Sequence, residues 1–205
     1  MKPLRRLILA VLAALPLAAL AAPQAGRDYT IIQPQPVESS GKIVVTEFFW
    51  YGCPHCFDFE PRLEAWMKKQ KADVTLRLVP AILNPEWAHD AAIYYSLEAL
   101  GQIPRLHDAL FNAIHVDHLS TGNKAAFEQW LAKNGVDPQK FEETMKSFGV
   151  QAKVRRAAQE TIAYQVEGTP ALAVQGLYTI NGAPSMLATT DYLIELVRKA
   201  RAAKK

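Results

Sequence analysis

The only two cysteines in the 205 residues, Cys53 and Cys56, stand one turn apart in Cys53-Pro54-His55-Cys56. A disulfide across so short a loop removes little freedom from the unfolded chain, so stability is a poor reason for keeping it. Secreted domains that lean on disulfides place several cysteines on separated loops instead. The flanks of the pair differ in kind. Ile43 to Phe49 is nearly continuous in apolar and β-branched residues, Glu47 excepted, and reads as a buried strand. Gly52 breaks that run and Pro54 suits the first turn of a helix. Phe59, Leu63, Trp66 and Met67 then recur at helical spacing to about Gln70. Residues 74–79 read as a second strand, and two strands joined by a helix close right-handed and parallel.

The middle of the chain changes character. Residues 87–100, 103–116, 124–134, 138–148 and 151–165 carry only helical signals, punctuated by Gly101, Gly122, Gly135 and Gly149. Strands return at 171–174 and 177–180, with Gln175-Gly176 between them as a two-residue hairpin turn. A last amphipathic helix is expected to be capped around Thr190, with Tyr192, Leu193, Leu196 and Val197 on its apolar side. The order is βαβ, a block of helices, then ββα. That pattern predicts one α/β fold interrupted by an all-helical insertion. There is no internal repeat and no low-complexity linker.

Lys2, Arg5 and Arg6 precede an apolar run from Leu7 to Leu20, and Ala19-Leu20-Ala21 puts small residues at alternate positions. This is the pattern of a secretory signal cleaved after Ala21 or Ala22. The run is shorter than the ~20 residues a spanning helix needs. Taking those three basic residues from the 23 Lys and Arg leaves 20, against 20 Asp and Glu. The mature chain is therefore near neutral and shows no clustered excess of positive charge for nucleic acid. The basic run Arg198, Lys199, Arg201, Lys204 and Lys205 suits the C-terminal end of a helix.

A cysteine at a helix N-terminus meets unpaired N–H groups and the positive end of the dipole, which favours its thiolate. Cys53 holds that position, and Cys56, a turn inside, is expected to stay a thiol. Such asymmetry suits exchange: Cys53 carries the mixed disulfide and Cys56 closes it. His55 is expected to offer a hydrogen bond or charge to the Cys53 thiolate, which makes the pair more oxidising. Other readings of the residues remain. A zinc site would need two more ligands, for which His115-x-x-His118 with Asp117 is the only candidate. A thiol metallochaperone or holdase would use the same cysteines without turnover. His89 and His107 read as surface residues of amphipathic helices. Trp50, Tyr51 and Phe57 read as an apolar surface around the motif, and Trp66, Trp87 and Trp130 as core.

A strand, then Phe48-Phe49-Trp50-Tyr51-Gly52, then Cys-Pro-His-Cys opening a helix with Phe59-Glu60 behind it, resembles the thioredoxin superfamily. Within that superfamily the chain resembles the DsbA family of periplasmic dithiol oxidases, over nearly all of its mature length. The resemblance implies a thioredoxin fold at 22–85 and 166–205 and a helical insertion at 86–165, following the signal peptide expected at 1–21. It implies that Cys53, Pro54, His55 and Cys56 form the catalytic motif. In Val166-Glu167-Gly168-Thr169-Pro170 it makes Pro170 a cis proline against the cysteines, with the Thr169 backbone pairing with an extended client. Glu47 matches a buried acid beneath the active site, tuning Cys56 or taking its proton; a water-facing acid at a strand edge is the alternative. Glu60 matches a second acid position, with an ordinary surface role as its alternative. The family works through a redox-active disulfide without a cofactor or metal. It acts on unfolded exported proteins and is reoxidised by a membrane partner resembling DsbB. A periplasmic monomer is expected. An isomerase or reductase of the same fold is the rival enzyme. About twenty residues between the expected mature start and the first strand leave no room for the separate dimerisation domain of such isomerases.

Overall fold

A computed structural model describes residues 22–182 and 185–203. The expected leader and the last two lysines lie outside those residues. Among the described residues, seven helices and five strands follow the order the residue pattern predicts, with local departures. The first paired segment is β1 (Thr30–Ile31), followed by β2 (Ile43–Phe49), α1 (Pro54–Met67) and β3 (Val74–Pro80). Five helices come next: α2 (Trp87–Ala99), α3 (Ile103–His115), α4 (Lys124–Lys133), α5 (Pro138–Lys146) and α6 (Phe148–Ala163). The chain closes with β4 (Ala171–Val174), β5 (Tyr178–Asn181) and α7 (Met186–Ala202).

One sheet runs in the order β1-β5-β4-β2-β3. Strand β2 pairs in parallel with β3, Ile43 opposite Val74, and antiparallel with β4, Glu47 opposite Leu172. Every residue of β2 is buried, which is why it reads as a continuous apolar run rather than an alternating one. Two apolar clusters cover the sheet. One joins Phe49, Tyr51, Ile93, Leu106, Leu110 and Phe111 to the helical block. The other packs Val45, Leu63, Trp66, Leu172, Leu193 and Ile194 between the sheet and helices α1 and α7. Trp66 is buried, whereas Trp87 and Trp130 are only partly so.

Four local expectations are corrected. Strand β1 has no sequence signal, because two residues show no period; it exists through pairing with β5, Thr30 opposite Thr179. The hairpin loop has three residues, since Val174 pairs with Tyr178. Gln175 and Gly176 both take positive φ (55° and 65°), and a Cβ on Gly176 would collide with the carbonyl of Gln35 in the neighbouring lead-in. Helix α7 starts at Met186 after Ser185, not at Thr190. The Thr190 hydroxyl donates to Met186 O at 2.9 Å, so a residue that resembles a cap is satisfied inside the helix. His107 is buried, at 6 % exposure. The α3 face that carries it, with Leu106, Leu110 and Phe111, is turned onto the loop before Cys53.

Candidate active site

Strand β2 ends at Phe49, and the turn Trp50-Tyr51-Gly52 delivers Cys53 to the N-cap of α1. Cys53 keeps extended backbone angles (φ −89°, ψ 113°) and Pro54 opens the helix, where its missing N–H costs nothing. Cys53 N–H donates to Trp50 O at 3.0 Å, and Cys56 N–H donates back to Cys53 O at 3.1 Å. The turn is rigid because Trp50 is held on two sides. Its ring stacks on Trp87 at 4.2 Å between centroids, and its indole N–H donates to Asp90 at 2.7 Å. Thr121 donates to the other Asp90 oxygen at 2.8 Å.

Both cysteines are free thiols in this structure. Cys56 is fully buried and Cys53 nearly so. Their chemistry diverges nonetheless. The Cys56 thiol, Thr169 and the backbone N–H groups of Cys56 and His55 donate toward Cys53 sulfur, and together they lower its pKa to about 5 against the pull of burial. Burial pushes the Cys56 thiol far above its ordinary range, and the neighbouring Cys53 and Glu47 push the same way. One sulfur is a thiolate at neutral pH while the other holds its proton.

The Thr169–Pro170 peptide bond is cis, as the resemblance implied. That loop lies against the pair: the Cys53 sulfur is 3.3 Å from Thr169 O, a hydrogen bond that only the protonated thiol can donate. Thr169 and Pro170, with His55, Asp58, Arg62 and Met186, line a groove of about 440 Å³ next to the cysteines. The structure changes the part given to His55. Its backbone N–H faces the Cys53 sulfur, while its side chain is exposed at the rim of the groove.

Glu47 is fully buried in the central strand, which excludes the water-facing edge position. Neither carboxyl oxygen has a hydrogen-bond partner among the described residues. Burial, then the closeness of Glu60 and of Cys53, holds its pKa well above the usual carboxylate range, which favours the protonated form. Glu60 is not an ordinary surface acid either. It is largely shielded and meets His107 Nε2 at 3.3 Å. Tyr51, expected on an exposed apolar surface, is buried with its hydroxyl 2.9 Å from His107 Nδ1. Trp50 and Phe57 remain partly exposed. His115 does not converge with the cysteines as a metal ligand. Its Nε2 is 2.8 Å from Tyr51 O, and its ring stacks on Phe57. His107 and Tyr51 carried no signal of their own in the sequence, where a histidine on an amphipathic helix looks the same on either face.

No described helix is long and apolar enough to cross a membrane. The family model for a DSBA-like thioredoxin domain matches residues 69–193. The thiol:disulfide interchange protein DsbA of Azotobacter vinelandii is 38% identical, over 86% of this chain and 85% of its own length. That of Burkholderia cepacia is 37% identical over 94% of each, a span that takes in Cys53 and Cys56. Among solved structures, DsbA of Pseudomonas aeruginosa superposes with a TM-score of 0.79 at 38% identity, covering 89% of this chain and 97% of that one. The Xylella fastidiosa DsbA structure gives 0.82 at 33% identity, over 87% and 100%. The fold is thus a thioredoxin fold with a helical insertion between its halves, and by sequence and by structure this chain belongs to the DsbA family of thiol–disulfide oxidoreductases.

Proposed function

We propose that the chain oxidises exported proteins by donating a Cys53–Cys56 disulfide. A client thiolate attacks Cys53 sulfur; the Cys53–Cys56 bond breaks and its electron pair leaves on Cys56. A second client thiolate then attacks the client sulfur of the mixed disulfide, and Cys53 departs as a thiolate. The observation that carries this reading is the split between the two thiols: Cys53 held near 5, Cys56 driven upward. Stabilising the reduced thiolate leaves the disulfide comparatively unstable, and an unstable disulfide is an oxidant. A reductant needs the opposite balance.

Pro54 sets the helix start, and His55 contributes its backbone N–H to Cys53 and its ring to the groove rim. Thr169 and Pro170 present main chain to an extended client, a mode that reads backbone and tolerates many sequences. Glu47 supplies the proton that Cys56 takes on leaving, and Glu60 tunes Glu47. The working form is a periplasmic monomer after removal of residues 1–21. Its thioredoxin part is 22–85 with 166–205, its insertion 86–165, and it is reoxidised by a membrane partner resembling DsbB. It needs no cofactor beyond the disulfide.

Equilibrating the protein with a reduced/oxidised glutathione series, read by tryptophan fluorescence, tests the direction of transfer. Trp50 lies three residues before Cys53, so its emission is placed to respond. The expected result is a pair that is reduced even with oxidised glutathione in excess. A pair that stays disulfide-bonded until a strong reductant is added overturns the oxidase and favours a reductase.

A further inference from the structure

The buried side of the redox centre contains a histidine that the reaction as described does not use. Glu47 cannot act repeatedly from a sealed pocket. Once it gives its proton to Cys56 it is a buried carboxylate, beside Glu60 and without a hydrogen-bond donor, a state that burial penalises heavily. A proton must reach it from water. On the far side of Glu60 lies a cavity of about 150 Å³, lined by Glu60, Glu64, Asp108, Asn112, Phe57 and Phe111. Asp108 and Glu64 are exposed, so the cavity opens to solvent, and its polar groups suit a bound water.

His107 is buried behind Glu60, its Nε2 3.3 Å from Glu60 Oε1, while Glu60 itself and Asp108 line the cavity. Tyr51 (in the turn before Cys53), Glu60 (α1), Tyr94 (α2) and Asp108 (α3) are the titratable groups that face it. Phe49 and Phe111 close the rest of its surroundings at ring distances of 5.0 and 5.2 Å. Burial holds the Tyr51 hydroxyl far above its ordinary pKa, so it remains an O–H. The tautomer with a hydrogen on Nε2 donates to Glu60 Oε1 when that group is a carboxylate. In the neutral ring Nδ1 then accepts from Tyr51; in the charged ring it donates to it. Both protonation states are therefore satisfied in the same place, without movement of the ring.

We propose that His107 is a positioning residue of the redox centre, which holds Glu60 between Glu47 and the cavity and, from behind Glu60, supports the path that returns a proton to the Glu47–Cys56 pair. The balance is simple. As the Cys53–Cys56 bond breaks, the electron pair goes to Cys56 sulfur and the Glu47 proton follows it. Glu60 and His107 then pass one proton inward to Glu47 and regain one from water in the cavity. The inference rests on Glu47 being the proton partner of Cys56.

The test is reduction of the oxidised protein by excess dithiothreitol, followed by stopped-flow fluorescence from about pH 5 to about pH 9 in H₂O and D₂O. The variants are His107→Gln, Glu60→Gln and Glu47→Gln. His107→Gln keeps an amide that can bond to both neighbours but removes the ring that can take up and release a proton. It is expected to slow reduction on the order of tenfold, alter the shape of the pH–rate profile and enlarge the solvent isotope effect. The Cys53 thiolate absorbance should still titrate near 5, because His107 is not among the groups acting on Cys53. A general packing defect would not leave that midpoint fixed while altering the pH profile. If His107→Gln does not fold, Glu60→Gln interrupts the same path from α1 and is expected to show the same changes. A wild-type profile in whichever of these two variants folds, alongside a slowed Glu47→Gln, overturns the path but leaves Glu47 as proton partner. An unslowed Glu47→Gln removes that role and the path with it.

Discussion

Cys53 and Cys56 are chemically identical residues one helical turn apart, and what separates them is which donors each can reach. Cys53, at the N-cap, collects N–H groups of the first turn of the helix. Cys56, already inside the helix and under the sheet, collects mainly the cost of burial. Gly52 illustrates a steric condition on the same turn. A Cβ built there would run into the Trp50 ring, 2.6 Å from Cε2 and 2.7 Å from Cη2. The ring cannot give way, because Trp87 and Asp90 pin it. Gly52→Ala is therefore expected to cost about 1–3 kcal/mol in urea unfolding and to change tryptophan emission in the folded state. An unchanged midpoint would show that the indole stack is looser than its geometry implies. The Trp-Tyr-Gly run and the C-x-x-C pair were legible in the chain; the pinning of Trp50 by residues 37 and 40 positions away was not.

At the scale of elements, helix α6 supports the site through one side chain. The Thr161 hydroxyl accepts from Ile82 N–H at 3.0 Å and donates to Ala157 O at 2.8 Å. It thereby ties the segment after β3 to the last helix of the insertion, just before the chain turns toward Thr169. Thr161→Val keeps the shape but leaves the Ile82 N–H without a partner, at an expected cost of about 1–3 kcal/mol. Thr161→Ser should recover most of that in the same thermal or urea unfolding measurement. Equal losses in the two variants would assign the effect to the missing methyl group instead. Helix and strand types were readable because each depends on local period: β2 is apolar throughout, and α3 shows its face at i, i+3 and i+4. Boundaries were less readable where a side chain has two ways to be satisfied, as with Thr190 inside α7.

The whole molecule responds to pH through the redox centre. Cys53 is depressed from an ordinary 9.0 to about 5 in the folded dithiol. A depressed acid stabilises the fold fully above its unfolded pKa and loses that contribution as pH falls through the folded value. The reduced protein should therefore lose thermal stability between about pH 9 and about pH 5, relative to the oxidised protein, which has no thiol there to titrate. Above 9 the rise ends, because Cys56 keeps its proton in the fold and gives it up when unfolded. Differential scanning calorimetry of both redox forms across that range checks the sign; parallel curves would contradict it. By itself the chain determined the order βαβ–helices–ββα, the placing of two cysteines at the start of a helix, and the presence of an acid in a buried strand. These follow from local composition and spacing, which act over a few residues. The resemblance places the Thr169–Pro170 loop against the cysteines, but only the tertiary structure decided that β1 forms at all and that His107 turns inward to Tyr51 and Glu60. Such contacts depend on which faces of distant elements are buried together, and an amphipathic helix carries its apolar face without stating what that face will cover.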